Sequence, residues 1–102
     1  MTVEELKALL DRGETPVVLD VREARELAIA RFPFAVIHIP MGELPRRVAE
    51  LPKVVPIVCA CRSGARSGQV AAWLKRQGVD AVNLEGGILA WSGRIDPEIP
   101  QY

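Results

Sequence analysis

The 102-residue sequence is poor in the residues on which many protein chemistries depend: one histidine, two cysteines, and aromatic side chains at only 5%. A single histidine, His38, cannot build a multi-histidine metal centre. The two cysteines, Cys59 and Cys61, stand two residues apart, too close for a bridge that closes a long loop, so a disulfide framework is excluded. A Cys-x-Cys pair could bind a soft metal, but the lone distant histidine supplies no partner ligand, and no metal is expected. Charge of one sign is also missing. Thirteen Lys and Arg balance thirteen Asp and Glu, which removes any global case for nucleic acid or an anionic membrane as partner. No apolar run approaches the ~20 residues that span a bilayer. The opening Met1 to Lys7 carries early acids and lacks the pattern of a signal peptide, so a cytoplasmic location is expected.

Apolar residues make up 49% and charged residues 25%, a globular composition. The length suits one domain over residues 1–102, in which a chain of this size buries roughly two-thirds of its unfolded surface. The zero net charge is a sum of unlike parts. Residues 1–52 carry 9 acids and 7 bases, residues 53–79 carry 5 bases and no acid, and residues 80–102 carry 4 acids and 1 base.

Thr2 and Glu5 have capping-box spacing ahead of the apolar stripe Val3, Leu6, Leu9 and Leu10, with Gly13 as a stop, so the chain should open with a helix. Short β-branched runs recur at Val17–Val21, Val36–Ile39, Val54–Cys59 and Ala81–Leu84. Helix-capable segments lie between them at Arg22–Ala30, Pro45–Leu51 and Ser67–Gln77, the last closed by Gly78. Such alternation predicts an α/β fold, a four- to five-stranded, mainly parallel sheet with helices on both faces. Gly86-Gly87 leads into a short final helix through Trp91, and residues 94–102, with Pro97 and Pro100, read as an extended tail.

The chemistry is concentrated in Cys61-Arg62-Ser63-Gly64-Ala65-Arg66-Ser67, which leaves a buried strand through a tight loop and enters a helix. In an open parallel sheet, ligands bind beyond the carboxyl ends of the strands, where Cys61 would stand. Ser63, Gly64 and Ala65 are small enough for the loop to curl and aim its amides at one centre, an anion-binding nest extended by the following helix N-terminus. These amides, with Arg62 and Arg66, favour thiolate over thiol. A free cysteine has a pKa of about 8.5 and electropositive sites bring it to roughly 3.5–7.5, so Cys61 needs no separate base.

The same loop resembles the active-site loop of single-domain rhodaneses, the sulfurtransferase family. Leu19-Asp20-Val21-Arg22 resembles the family's Asp-x-Arg element, His38-Ile39-Pro40 with Glu43-Leu44 its central segment, and Leu84-Glu85-Gly86-Gly87 with Trp91 its closing one. The likeness covers nearly the whole chain and departs at Arg31-Phe32-Pro33-Phe34-Ala35, where many members carry a Gly-His-x-x-Gly turn. It implies a single rhodanese-like domain in which the Cys61 thiolate takes sulfane sulfur from a small anionic, thiosulfate-like donor. The resulting persulfide then passes to a thiol or cyanide acceptor, with a thioredoxin-like protein among the candidates. No cofactor is needed beyond the persulfide itself. The Cys61-to-Arg66 span is six residues, the sulfurtransferase length in this superfamily, whereas related phosphatases and arsenate reductases use seven. Other readings are a non-catalytic interaction module, a protein sulfur carrier, or a phosphatase or arsenate reductase.

In this picture Arg62 to Arg66 form the persulfide-binding loop, and Asp20, Arg22 and Ser67 support it. Asp20 should pair with an arginine at the strand end. Arg66 either contacts substrate or braces the loop through Asp20, Glu23 or Glu85. Cys59 should face the core, with a resolving thiol as the alternative, and His38 should anchor a loop. Trp73 and Trp91 should be packing residues. Ile95, Ile99 and Tyr102 should dock the tail on its own domain, in a monomer or weak homodimer.

Overall fold

The computed structural model describes all 102 residues. Helix α1 (Val3–Asp11) is capped as the sequence predicts. The Thr2 hydroxyl accepts from the Glu5 amide, and the Glu5 carboxylate accepts from the Thr2 amide. The sheet follows as β1 (Val17–Asp20), β2 (Ile37–His38), β3 (Ile57–Ala60) and β4 (Ala81–Asn83). All pairings are parallel, in the order β2-β1-β3-β4. There is no fifth strand. The helices are α2 (Ala24–Ile29), α3 (Leu44–Arg47, flanked by 3₁₀ turns at Met41–Glu43 and Val48–Glu50), α4 (Ala65–Arg76) and α5 (Gly87–Arg94).

The chain runs from β1 outward to β2, then crosses back over β1 to β3. The order therefore reverses between β1 and β3, and the crevice beyond their carboxyl ends is where an open α/β sheet binds ligands. Asp20 ends β1 and Cys61 follows β3, so the sheet order alone places both at that crevice.

Continuously apolar strands require cover on both faces. One face packs Leu19, Ile57, Cys59 and Ala81 under Leu44, Leu51 and the Val70, Ala71 and Leu74 stripe of α4. The other packs Val18, Val58 and Ala60 under Val3 and Leu6 of α1 and Ile88 and Trp91 of α5. Trp91 is core, as expected, and Trp73 packs partly buried against the first cluster. Phe32 and Phe34, in the segment that departs from the family turn, meet Trp91 with ring centroids 6.3 and 5.2 Å away.

Several element limits differ from the sequence expectation for local reasons. The third strand begins at Ile57, not Val54, because Pro56 cannot donate to a ladder and Val54 sits at φ 59° in a turn, fully exposed. The segment expected as one helix over 45–51 is a short α turn between two 3₁₀ turns. Helix α4 starts two residues earlier than expected because Gly64, at φ 99°, turns the loop straight into it. The terminal segment is not extended: Arg94 belongs to α5, and the Ile99 amide closes a turn onto the Asp96 carbonyl. Ile99 is buried, and the Ser92 hydroxyl donates to its carbonyl. The tail is thus docked on its own domain.

Candidate active site

Cys61 is the first residue beyond β3, and its sulfur occupies the place of an N-cap acceptor at the head of α4. The Gly64 amide donates to Sγ at 3.1 Å and the Ser67 amide at 3.5 Å, with the Ser67 hydroxyl 3.3 Å away. Amides at a helix N-terminus have no partner within the helix and carry the positive end of its dipole. Burial of the sulfur pushes its pKa up. The Ser67 hydroxyl and the amides of Ser67, Gly64 and Ser63 outweigh that cost, and the net direction is down. Two residues back, Cys59 faces the α4-side core with no such donors, and burial pushes its thiol up to about 12. The two thiols are thus pushed in opposite directions: hydrogen bonds favour the ionised form of Cys61, and burial holds Cys59 protonated as a packing group.

The loop is held from behind by α5. The amides of Ile88 and Leu89 donate to the carbonyls of Cys61 and Arg62 at 3.0 and 3.1 Å. Gly87 makes this approach possible, since a Cβ there would lie 2.4 Å from the Cys61 carbonyl oxygen and 2.5 Å from that of Arg62. With its carbonyls turned back to α5, the loop is free to aim its amides at the sulfur.

Asp20 and Arg22 form the expected ion pair, fully buried. The Arg22 Nη2 donates to Asp20 Oδ2 at 2.8 Å and Nε contacts both carboxylate oxygens, while Nη1 donates to the Ala30 carbonyl and to the Tyr102 hydroxyl. Each of the three nitrogens of this buried guanidinium has at least one hydrogen-bond partner, which offsets the cost of burying its charge. His38 is an anchor: its Nε2 lies 2.7 Å from the Arg22 carbonyl oxygen, tying β2 to the same corner.

Arg66 is a brace, and its partner is none of the three carboxylates expected for it. Its two terminal nitrogens donate to the two oxygens of Glu26 on α2 at 2.7 and 2.8 Å. These bonds hold the Glu26 carboxyl near a pKa of about 2, against the upward push of burial. They also raise Arg66 above its ordinary range, with smaller contributions from the charges on Glu26 and a Cys61 thiolate. The Tyr102 hydroxyl joins the two ion pairs, accepting from Arg22 and donating to Glu26 at 2.9 Å. Arg62 lies over the Tyr102 ring, its guanidinium carbon 5.1 Å from the centroid, and its buried Nε has no hydrogen-bond partner.

Of the expected site residues, Cys61, Ser63, Gly64 and Ser67 converge on the sulfur, and Ala65 opens the helix that follows. Asp20, Arg22, Arg62 and Arg66 form a surrounding frame and donate no hydrogen bond to Sγ. Glu26, Asn83 and the α5 amides belong to that frame and are not evident from local sequence. Asn83 bonds Ser67 and the Gly64 carbonyl; its one signal is a polar side chain inside a β-branched run. Glu26 offers none, because forty residues separate it from its partner.

The chain and its fold have counterparts among known proteins. Residues 2–94 match the family described as "Rhodanese-like domain". A Bacillus subtilis protein named "Putative sulfurtransferase YtwF" is 42% identical over 93 residues, 91% of this chain and 89% of its own. A protein of Allochromatium vinosum named "Sulfurtransferase" is 42% identical over 90 residues, covering 87% and 83%. The crystal structure of a rhodanese-like domain protein from Staphylococcus aureus superposes with a TM-score of 0.85 at 32% identity, covering 100% of this chain and 96% of that one. The family match over nearly the whole chain and relatives 42% identical over most of both chains show that the chain belongs to the rhodanese-like domain family.

Proposed function

We propose that the protein is a sulfurtransferase that carries sulfane sulfur as a persulfide on Cys61. The single observation that carries this reading is the convergence of amides and the Ser67 hydroxyl on one sulfur at a helix head. That arrangement favours a thiolate and leaves donors facing whatever charge the sulfur acquires. The relatives named as sulfurtransferases support the same reaction class.

In the proposed cycle the Cys61 thiolate attacks the outer sulfur of a small anionic donor of the thiosulfate type. The new S–S bond forms as the donor's S–S bond breaks, and sulfite leaves with the electron pair of the broken bond. The nest then faces the terminal sulfur of the persulfide. A thiolate or cyanide attacks that sulfur, and Cys61 departs as thiolate. At this edge Arg62 and the amides at the head of α4 supply the positive field that draws the donor in, whereas Lys53, Lys75 and Arg76 of the acid-free stretch lie at the far end of β3 and α4. Arg66 adds charge at the rim while Glu26 fixes its position, so its contribution is to field and loop shape.

The test is steady-state turnover of thiosulfate with cyanide, read as thiocyanate, beside hydrolysis of an aryl phosphate by the same preparation. Thiocyanate formation that disappears in Cys61→Ser is the expected result. Aryl phosphate hydrolysis without thiocyanate formation would assign the loop to phosphoryl chemistry instead.

A further inference from the structure

Asn83, the last residue of β4, stands on the far side of Ser67 from Cys61. Its side-chain nitrogen donates to the Gly64 carbonyl at 3.0 Å, which fixes the orientation of the amide. Its Oδ1 therefore faces Ser67, 2.6 Å from the hydroxyl oxygen. A place is built for this amide. Gly64 and Gly68 flank it, and a Cβ on Gly68 would lie 3.3 Å from Asn83 Nδ2.

Ser67 has one hydroxyl proton and two acceptors for it. Oδ1 is near and well matched, and Sγ is 3.3 Å away. While the sulfur is uncharged, the amide oxygen is the better acceptor and Ser67 points to Asn83. A thiolate reverses the order, because a hydrogen bond to an ionised acceptor is roughly twice as strong as one between neutral groups. We propose that Asn83 is a positioning residue that competes with Cys61 for the Ser67 proton, so that the hydroxyl turns toward the sulfur when it is ionised and back to Asn83 when it is not. On ionisation the thiol proton leaves to solvent, and Ser67 keeps its own proton throughout and only redirects it. Where Cys61 carries a persulfide, the inner sulfur is uncharged and the hydroxyl returns to Asn83, leaving the amides to face the terminal sulfur. That last step rests on the proposed persulfide chemistry, while the competition itself needs only an ionisable Cys61.

The competition has a signature that a merely structural Asn83 lacks. The pH dependence of iodoacetamide alkylation gives the Cys61 pKa in the wild type, Asn83→Ala, Ser67→Ala and the double variant. Asn83→Ala removes the competing acceptor, while the Gly64 carbonyl keeps the Gly68 amide as partner. The pKa should fall by about 0.5–1 unit, and Ser67→Ala should raise it by a similar amount. In the Ser67→Ala background, Asn83→Ala should change nothing. A rise in Asn83→Ala, or the same shift in both backgrounds, overturns the proposal. A second readout spares Asn83: its side-chain amide NMR signals in the wild type should titrate with the Cys61 pKa, and the amplitude should collapse in Ser67→Ala. Signals flat through Cys61 ionisation, or unchanged by Ser67→Ala, also overturn it. Neither readout involves turnover, so loss of sulfur transfer alone would count against the proposed function and not against this competition.

Discussion

Replacing Glu26 by Gln removes one charge from the pair that fixes Arg66 and leaves the shape of the side chain nearly unchanged. The folded carboxyl has a pKa of about 2 against an ordinary 4.5. A difference of that size corresponds to an upper limit of about 3.4 kcal/mol of stability at neutral pH. The Arg66 side chain is 36% exposed, so solvent screening reduces this to about 1–2 kcal/mol. The folded pKa is depressed. The contribution is therefore complete above the unfolded pKa and is lost as pH falls from about 4.5 toward about 2. Urea unfolding of wild type and Glu26→Gln across that range measures it. The stability gap should be about 1–2 kcal/mol from pH 7 down to about 5, and should have shrunk by at least half near pH 3. A gap that stays constant with pH would refute the electrostatic argument and assign the effect to packing.

Gly87→Ala forces a Cβ into the carbonyls of Cys61 and Arg62 at a position with φ 57°; a left-handed non-glycine residue alone costs about 1–2 kcal/mol, so urea unfolding should show at least that loss, with slower alkylation of Cys61. Iodoacetamide at about pH 8 should modify Cys61 and spare Cys59, whose pKa is about 12, and peptide mapping reads the ratio. Cys59→Ala should accordingly retain sulfur transfer. Asp20→Asn leaves the Arg22 guanidinium buried with its ionic partner removed, and denaturant titration should show a loss of about 3–5 kcal/mol.

What could be read from the chain follows from the range of each interaction. The capping box at Thr2 and Glu5, the β-branched strands and the small residues of the Cys61 loop are local patterns, and the structure reproduces them. The Asp20 and Arg22 pair was also accessible, since two residues at a strand end can meet without help from elsewhere. Strand β3 begins late because Pro56 and the turn at Val54 interrupt a run that hydrophobicity alone would extend. Contacts made across long separations were beyond reach. Glu26 meets Arg66 and Tyr102 over forty and seventy-six residues, and Asn83 meets Ser67 over sixteen. Each depends on how α2, β4 and the tail pack around a crevice that exists only once the sheet has formed. The Cys61 loop is therefore legible in the sequence, and the frame packed around it is not.

The central claim, that Cys61 carries sulfur covalently, is tested most directly by the intact mass of the protein. The reduced chain is incubated with thiosulfate, desalted, weighed, and weighed again after cyanide. A gain of about 32 Da, one sulfur atom on the thiolate, that reverses with cyanide and is absent from Cys61→Ser is the predicted result. No gain in the wild type, or an equal gain in Cys61→Ser, would contradict it.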